Sequence, residues 1–310
     1  MRKYLIWILL ALCPLFWAGN FVVGKYIVME MTPLWTNYLR WALALFLLFP
    51  AAQIIEKPNW RKVWKQWPSL TMFGILGVIC FNLFVYSALK YTSAINVALV
   101  TTLNPAVIVL FSVFLVRDKI SRMQAAGFVI SLIGVLTILT KGDLIQIFSI
   151  GYNRGNLLMI GALVAWSAYS ILGRRLVVPP ITATAVSSLF AVIIMSPFAI
   201  AQGFDMTTIS PLAIKGILFM VIFPSACAYI FWNLSIRAVG ANKASIFLNL
   251  NPVFTALISI FLGDKITGAQ IWGGLCVFTG VYLATGKLNS NTQKGDVDVA
   301  NRIDTVNENQ

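Results

Sequence analysis

Long apolar runs separated by short polar stretches organise this chain. Uncharged runs cover residues 4–24, 91–116, 123–140, 155–173, 176–204, 216–236, 244–263 and 266–286. Crossing a hydrocarbon core of about 30 Å takes about 20 helical residues, and most of these runs are long enough. Segments near 34–55 and 69–89 bring the expected spans to ten. No alternating barrel pattern is present, and in lipid every backbone polar group must be paired, so the spans are expected to be helices. The expected fold class is an all-α membrane protein.

The polar punctuation repeats. Asn104-Pro105 followed by Asp118-Lys119-Ile120 returns as Asn251-Pro252 followed by Asp264-Lys265-Ile266. Gln124, Gly127 and Gly134-Val135 return as Gln270, Gly273 and Gly280-Val281, and Trp17, Gly24 and Lys25 match Trp166, Gly173 and Arg174. The offset drifts from 149 to 147 to 146, which needs only small insertions. Residues 1–141 therefore form a first repeat (spans 1–5), 142–154 an outer linker, 155–287 a second repeat (spans 6–10) and 288–310 a disordered cytoplasmic tail. Five is odd, so the second copy enters the bilayer from the opposite face. Inverted repeats recur where alternating access is built around a midplane site, which makes a carrier the leading reading.

Composition sharpens the class. The chain is 59% hydrophobic and 11% charged, with mean hydropathy +0.84, too apolar for a soluble domain. The net charge of +13 could suggest nucleic acid, but its distribution argues otherwise. With ten spans, 16 of the 23 Lys and Arg residues fall on the N-terminal face and 7 on the other. The positive-inside rule makes the N-terminal face cytoplasmic, with both termini inside a cell membrane. Cys13, Cys80, Cys227 and Cys276 lie in apolar spans without metal or redox spacing, and read as small buried hydrophobes. No metal site or cofactor is expected. Met1-Arg2-Lys3 before an apolar run resembles a signal peptide, yet the run continues to Val23 without a cleavage site, so it is expected to remain as span 1.

Two five-helix copies, each with a helix carrying a central Asn-Pro and ending in an acidic-basic pair before a Gly-rich helix, resemble the EamA-type, ten-helix branch of the drug/metabolite transporter superfamily. Arg40, early in span 2, fits that pattern too. The resemblance covers roughly residues 5–287 and implies export of amino acids, metabolites or toxic compounds. One departure is Asp, as Asp118 and Asp264, where the family usually has Glu.

Three matched pairs of spans supply the candidate lining. Pro105 and Pro252 cannot donate to the residue four back, which frees the carbonyls of Thr101 and Leu248. Asn104 and Asn251 stand beside these breaks, with Thr101 and Asn249 within a turn. Asn249 lacks a polar amide repeat-mate and reads as the stronger contact; packing and repair of the break is the alternative for Asn104 and Asn251. In spans 1 and 6, Trp17, Asn20 and Gly24 share a face, as do Trp166, Tyr169 and Gly173. In spans 3 and 8, Asn82 and Tyr86 lie one turn apart, and Tyr229, Trp232 and Asn233 fall within one turn. Pro14 and Pro224 are further breaks. Amides and aromatic rings suit a solute with a polar head and a planar or apolar body.

None of the ten acids falls in mid-span and histidine is absent. Proton-coupled carriers usually hold an ionisable group inside the membrane, so facilitated or weakly coupled movement is expected. Arg40 is the one deep charge, and snorkelling to the nearer face is its expected fate. Lys25, Lys90 and Arg237 read as interfacial anchors. A membrane enzyme would need catalytic groups that are missing here, and no channel filter or ring of charge is visible. The partners expected are a small-molecule substrate and the lipid bilayer, not nucleic acid. An importer or exchanger, including one for organic anions or sugar phosphates, a receptor or accessory role, and a monomer or homodimer all stay open.

Overall fold

The computed structural model describes residues 2–104, 107, 122–139, 142–143, 154–203, 209–239, 244 and 246–285. Pro105, Asp118, most of the 142–154 linker and the 288–310 tail lie outside the described residues. Among the described residues all regular structure is helical. In chain order the main segments are α1 (Arg2–Glu30), α2 (Pro33–Glu56), α3 (Trp67–Leu89), α4 (Ala94–Thr101), α5 (Arg122–Leu139), α6 (Arg154–Arg175), α7 (Pro180–Gln202), α8 (Pro211–Val239), α9 (Leu250–Phe261) and α10 (Gly268–Thr285). Six of them, α1, α2, α3, α6, α7 and α8, are long and apolar enough to cross a membrane. Large apolar side chains such as Phe46, Phe198 and Trp272 project outward, as lipid-facing residues do.

Helix starts follow local chemistry. Thr32, Ser93 and Ser210 cap α2, α4 and α8 by accepting from the backbone N–H three residues on. Pro33, Pro180 and Pro211 occupy the first helical position, where a missing N–H costs nothing. Pro179 cannot cap α7, and Glu56 from the end of α2 takes over: its carboxylate accepts from the amides of Ile181 (2.9 Å) and Thr182 (2.7 Å) and from the Thr182 hydroxyl (2.7 Å). Glu30, at the end of α1, accepts from the amide (2.8 Å) and hydroxyl (2.9 Å) of Ser210. Lys25 donates to the carbonyls of Leu89 (2.6 Å) and Thr92 (3.0 Å), and Arg237 to those of Val178 and Leu176. Both cations complete exposed carbonyls near helix C-termini, a closer role than membrane anchoring.

Packing runs mostly between the two halves of the chain. α1 packs on α8 as α6 packs on α3, and α2 packs on α8 as α7 packs on α3. α5 lies along α10, α2 along α7 and α4 along α9. These pairings are unchanged when each helix is exchanged with the one five places further on, although α1 also packs closely on α9 where α6 meets α4 only slightly. Glycine makes the closest approaches possible. A Cβ on Gly74 would lie 2.3 Å from the Ser187 carbonyl oxygen, and one on Gly134 2.6 Å from that of Gly273.

Candidate functional site

Three helices change their winding where the halves meet. α3 contains a π-helical stretch at Ile75–Cys80, and α8 contains one at Val221–Cys227 around Pro224. A π-turn leaves carbonyls turned away from the regular ladder, and such turns cluster at functional sites. Here side chains collect them. Asn82 Nδ2 donates to the Gly77 carbonyl (2.8 Å), Tyr229 Oη donates to the same oxygen (2.9 Å) and Asn37 Nδ2 donates to that of Val78 (2.8 Å). In α8, Trp17 Nε1 donates to the Pro224 carbonyl (3.3 Å) and the Ser225 hydroxyl to that of Met220 (2.6 Å).

The third change lies at the Asn-Pro of the second half. A 3-10 turn, Ile246–Asn249, precedes α9, so Pro252 sits in a first helical turn and not in a helix interior. The helix is broken there, more than the bend a central proline would produce. In the first half α4 ends at Thr101, and the amides of Thr102 and Leu103 bond to carbonyls three residues back, at 3.2 Å and 3.0 Å. Thr101 and Thr102 turn their hydroxyls onto Ala98 and Leu99 carbonyls.

These irregular segments enclose a central void. α1 contributes Trp17 and Asn20, α3 Asn82, α6 Trp166 and α8 Tyr229; the two breaks contribute Thr101, Asn104 and Asn251. Phe21, Phe81, Leu248 and Arg40, outside the expected lining, complete it. The void has room for about one or two water molecules, each needing roughly 10–15 Å3 of accessible space. Its walls touch. Trp17 meets Trp166 edge to face at 5.3 Å and Tyr229 at 6.0 Å, while Trp166 stacks on Tyr169 at 5.1 Å and Tyr169 on Phe73 at 4.0 Å. The ring of Tyr169 lies directly over Gly77, where a Cβ would come within 2.2 Å of it.

Arg40 does not snorkel. It is 1% exposed, and its guanidinium reaches from α2 into the centre to bond with α1, α3 and α8. Nε donates to Ser225 Oγ (2.7 Å), and Nη1 donates to Asn20 Oδ1 (2.9 Å), Asn82 Oδ1 (3.3 Å) and Tyr86 Oη. Tyr86 Oη in turn donates to Asn20 Oδ1 (2.8 Å). Five N–H groups on a planar fork let one side chain hold several neutral oxygens at once, and the guanidinium is weakly hydrated compared with an ammonium. That chemistry, with the Tyr86 and Trp41 rings beside it at 5.6 Å and 5.2 Å, is why burial wins over the route to the surface.

The remaining candidates stand one layer out. Tyr86 joins the void through Arg40. Trp232 packs on Trp17 at 5.6 Å. Asn233 donates to Tyr169 Oη (3.1 Å) and Thr184 Oγ1 (2.8 Å), repeating the Asn20–Tyr86 bond with the residue types exchanged. Asn249 is buried beside the break, but it is Asn104 and Asn251 that line the void. Pro14 lies within an unbroken α1. The side-chain oxygens of Asn104, Asn249 and Asn251 have no hydrogen-bond partner among the described residues. Sequence reasoning missed the π-turns of α3 and α8 and the inward course of Arg40; Pro224-Ser225 hinted at the turn in α8, and nothing in Ile75–Cys80 announces that in α3.

A small, aromatic, amide-lined void between the halves of a polytopic helical protein is the arrangement expected of a membrane carrier. The chain belongs to the EamA-like transporter family, whose profile matches it twice, over residues 4–140 and 153–286. It is 31% identical over 292 residues to the uncharacterized transporter YyaM of Bacillus subtilis, covering 92% of this chain and 95% of that one. An uncharacterized transporter of Archaeoglobus fulgidus is 30% identical over 285 residues (90% and 97% covered). The aromatic amino acid exporter YddG of Ancylobacter novellus is 27% identical over 233 residues (71% and 77% covered). A solved crystal structure shares the fold with a TM-score of 0.65 at 21% identity, covering 89% of this chain and 96% of that chain. The protein is thus a multi-pass membrane transporter and not an enzyme.

Proposed function

We propose that this protein exports small amphipathic metabolites, amino acids foremost, by alternating access across the cell membrane, with both termini cytoplasmic. The observation that carries the reading is the small central void, which sits where the two halves meet and is walled by both. The two profile matches, 4–140 and 153–286, and the exchange-invariant packing support two related five-helix copies. An odd number of spans per copy then inverts one relative to the other, giving ten helices. Rocking of one half against the other would open the void to each side in turn.

The aromatic rings and amides lining the void suit solutes with a polar head and an apolar body, and the likeness to an aromatic amino acid exporter supports the same class. The Lys and Arg distribution supports the orientation. Metabolite profiling of medium from cells with and without the protein tests the proposal. Amphipathic amino acids are expected to accumulate outside expressing cells, and reconstituted protein to move them across liposomes. Unchanged medium together with no flux would overturn the proposal.

A further inference from the structure

Among the described residues Arg40 is a buried cation without an anion. Among the described residues no carboxylate reaches it: Glu30 and Glu56 are committed at helix ends, and its hydrogen-bond partners are neutral oxygens of Ser225, Asn20, Asn82 and Tyr86. Those partners use Nε and Nη1. The second amino group, Nη2, has no partner among the described residues, and Arg40 borders the central void. An uncompensated charge in a low-dielectric interior is costly, and an ionisable group inside a membrane protein is a functional site by default.

The same void has two unanswered acceptors. Asn104 and Asn251 line it, are 2% and 3% exposed, and their amide oxygens have no partner among the described residues. Leu248, also on the wall, belongs to the 3-10 turn that precedes α9. One wall therefore offers a cation with free N–H groups, the other offers oxygens waiting for donors, and aromatic rings stand around both.

We propose that Arg40 is the carboxylate anchor of the transport site, and that the substrate is an α-amino acid zwitterion with a large apolar or aromatic side chain. Its carboxylate meets Nη2 of Arg40, its ammonium donates to Asn104 and Asn251, and its side chain enters among Trp17, Trp166 and Tyr229. A single guanidinium matches a single carboxylate charge, whereas a phosphate dianion would leave a buried negative charge. The inference rests on the transport reading above and adds the chemistry of recognition.

Thermal unfolding of the detergent-solubilised protein tests it with a ladder of probes: phenylalanine and leucine, their amines phenethylamine and isoamylamine, and the acid 3-phenylpropionate. Both amino acids are expected to raise the midpoint and the amines to do so at least about tenfold more weakly by concentration, given that a missing partner leaves a buried charge unpaired. Arg40→Gln should remove the preference for phenylalanine over phenethylamine, and Arg40→Lys should restore part of it. Asn251→Ala should weaken phenylalanine relative to 3-phenylpropionate. Amines that match the amino acids on wild-type protein would overturn the anchor, a result that stands even if Arg40→Gln fails to fold. Liposome flux of the same probes separates the two readings. Carboxylate-dependent binding without flux overturns the export proposal and keeps the anchor, while flux indifferent to the carboxylate does the reverse.

Discussion

Trp17 and Trp166 hold corresponding places in the two halves, and their rings meet edge to face with centroids 5.3 Å apart at 84°. Equivalent side chains of two related halves touch only where the axis relating them passes, so in the proposed arrangement this pair stands beside it. The two indoles differ in one respect. Trp17 Nε1 donates to the Pro224 carbonyl at 3.3 Å, whereas Trp166 Nε1 has no partner among the described residues. Trp17→Phe should therefore cost about 1 kcal/mol more stability than Trp166→Phe, the net worth of a typical hydrogen bond. Thermal unfolding in detergent measures the difference. In flux assays Trp17→Ala and Trp166→Ala should each reduce transport while membrane insertion persists; normal flux in both would remove the aromatic lining.

Gly77 carries the Tyr169 ring, so Gly77→Ala forces a methyl to within 2.2 Å of it. Overpacking of this kind costs about 1–3 kcal/mol. The unfolding midpoint should fall, and a smaller residue at position 169 should recover part of the loss. An unaltered midpoint for Gly77→Ala alone would show that the ring moves aside freely.

The two helix-end carboxylates should rank unequally. Glu56 accepts from three donors of Ile181 and Thr182, and Glu30 accepts from two of Ser210. Glu56 is also the less exposed of the two. Replacing a helix cap by alanine costs about 0.5–2 kcal/mol, and Glu56→Ala should lie higher in that range than Glu30→Ala. Denaturation of the two variants in the same detergent decides the order.

Flux should persist in liposomes without a proton gradient. The described carboxylates lie at helix ends and none lines the central void, so no described acid is placed to carry a proton with the solute. Collapse of flux when an ionophore clamps both sides to one pH would count against this.

Lys62 lies in the basic, Trp-rich connection between α2 and α3. In the proposed orientation Lys62→Cys is labelled by an impermeant maleimide from the cytoplasmic side alone. Labelling of intact cells from outside would reverse the topology.

The helical class and the paired candidate residues were legible because apolar length and repeated motifs are one-dimensional signals. Trp17, Asn20, Asn82, Thr101, Asn104, Trp166, Tyr229 and Asn251 all reach the central void. Arg40 was misplaced for a physical reason. Snorkelling follows from side-chain length and depth, but the oxygens that hold the guanidinium come from α1, α3 and α8, and sequence spacing cannot show that they converge. Likewise the π-turn at Ile75–Cys80 arises from tertiary demand on an ordinary apolar stretch. Glu30 and Glu56 stood out only as acids away from mid-span, because the helix starts they complete, at Ser210 and Ile181, lie far along the chain.

A centre with space for no more than a water or two behaves, in this arrangement, as a stopper. Among the described residues the void is too small for a hydrated ion, so the protein at rest is expected to leave the membrane potential intact. Passage of a solute instead requires the indole and phenol rings to part and reseal on every cycle. Turnover should therefore be slow and steeply temperature-dependent, the signature of a revolving door.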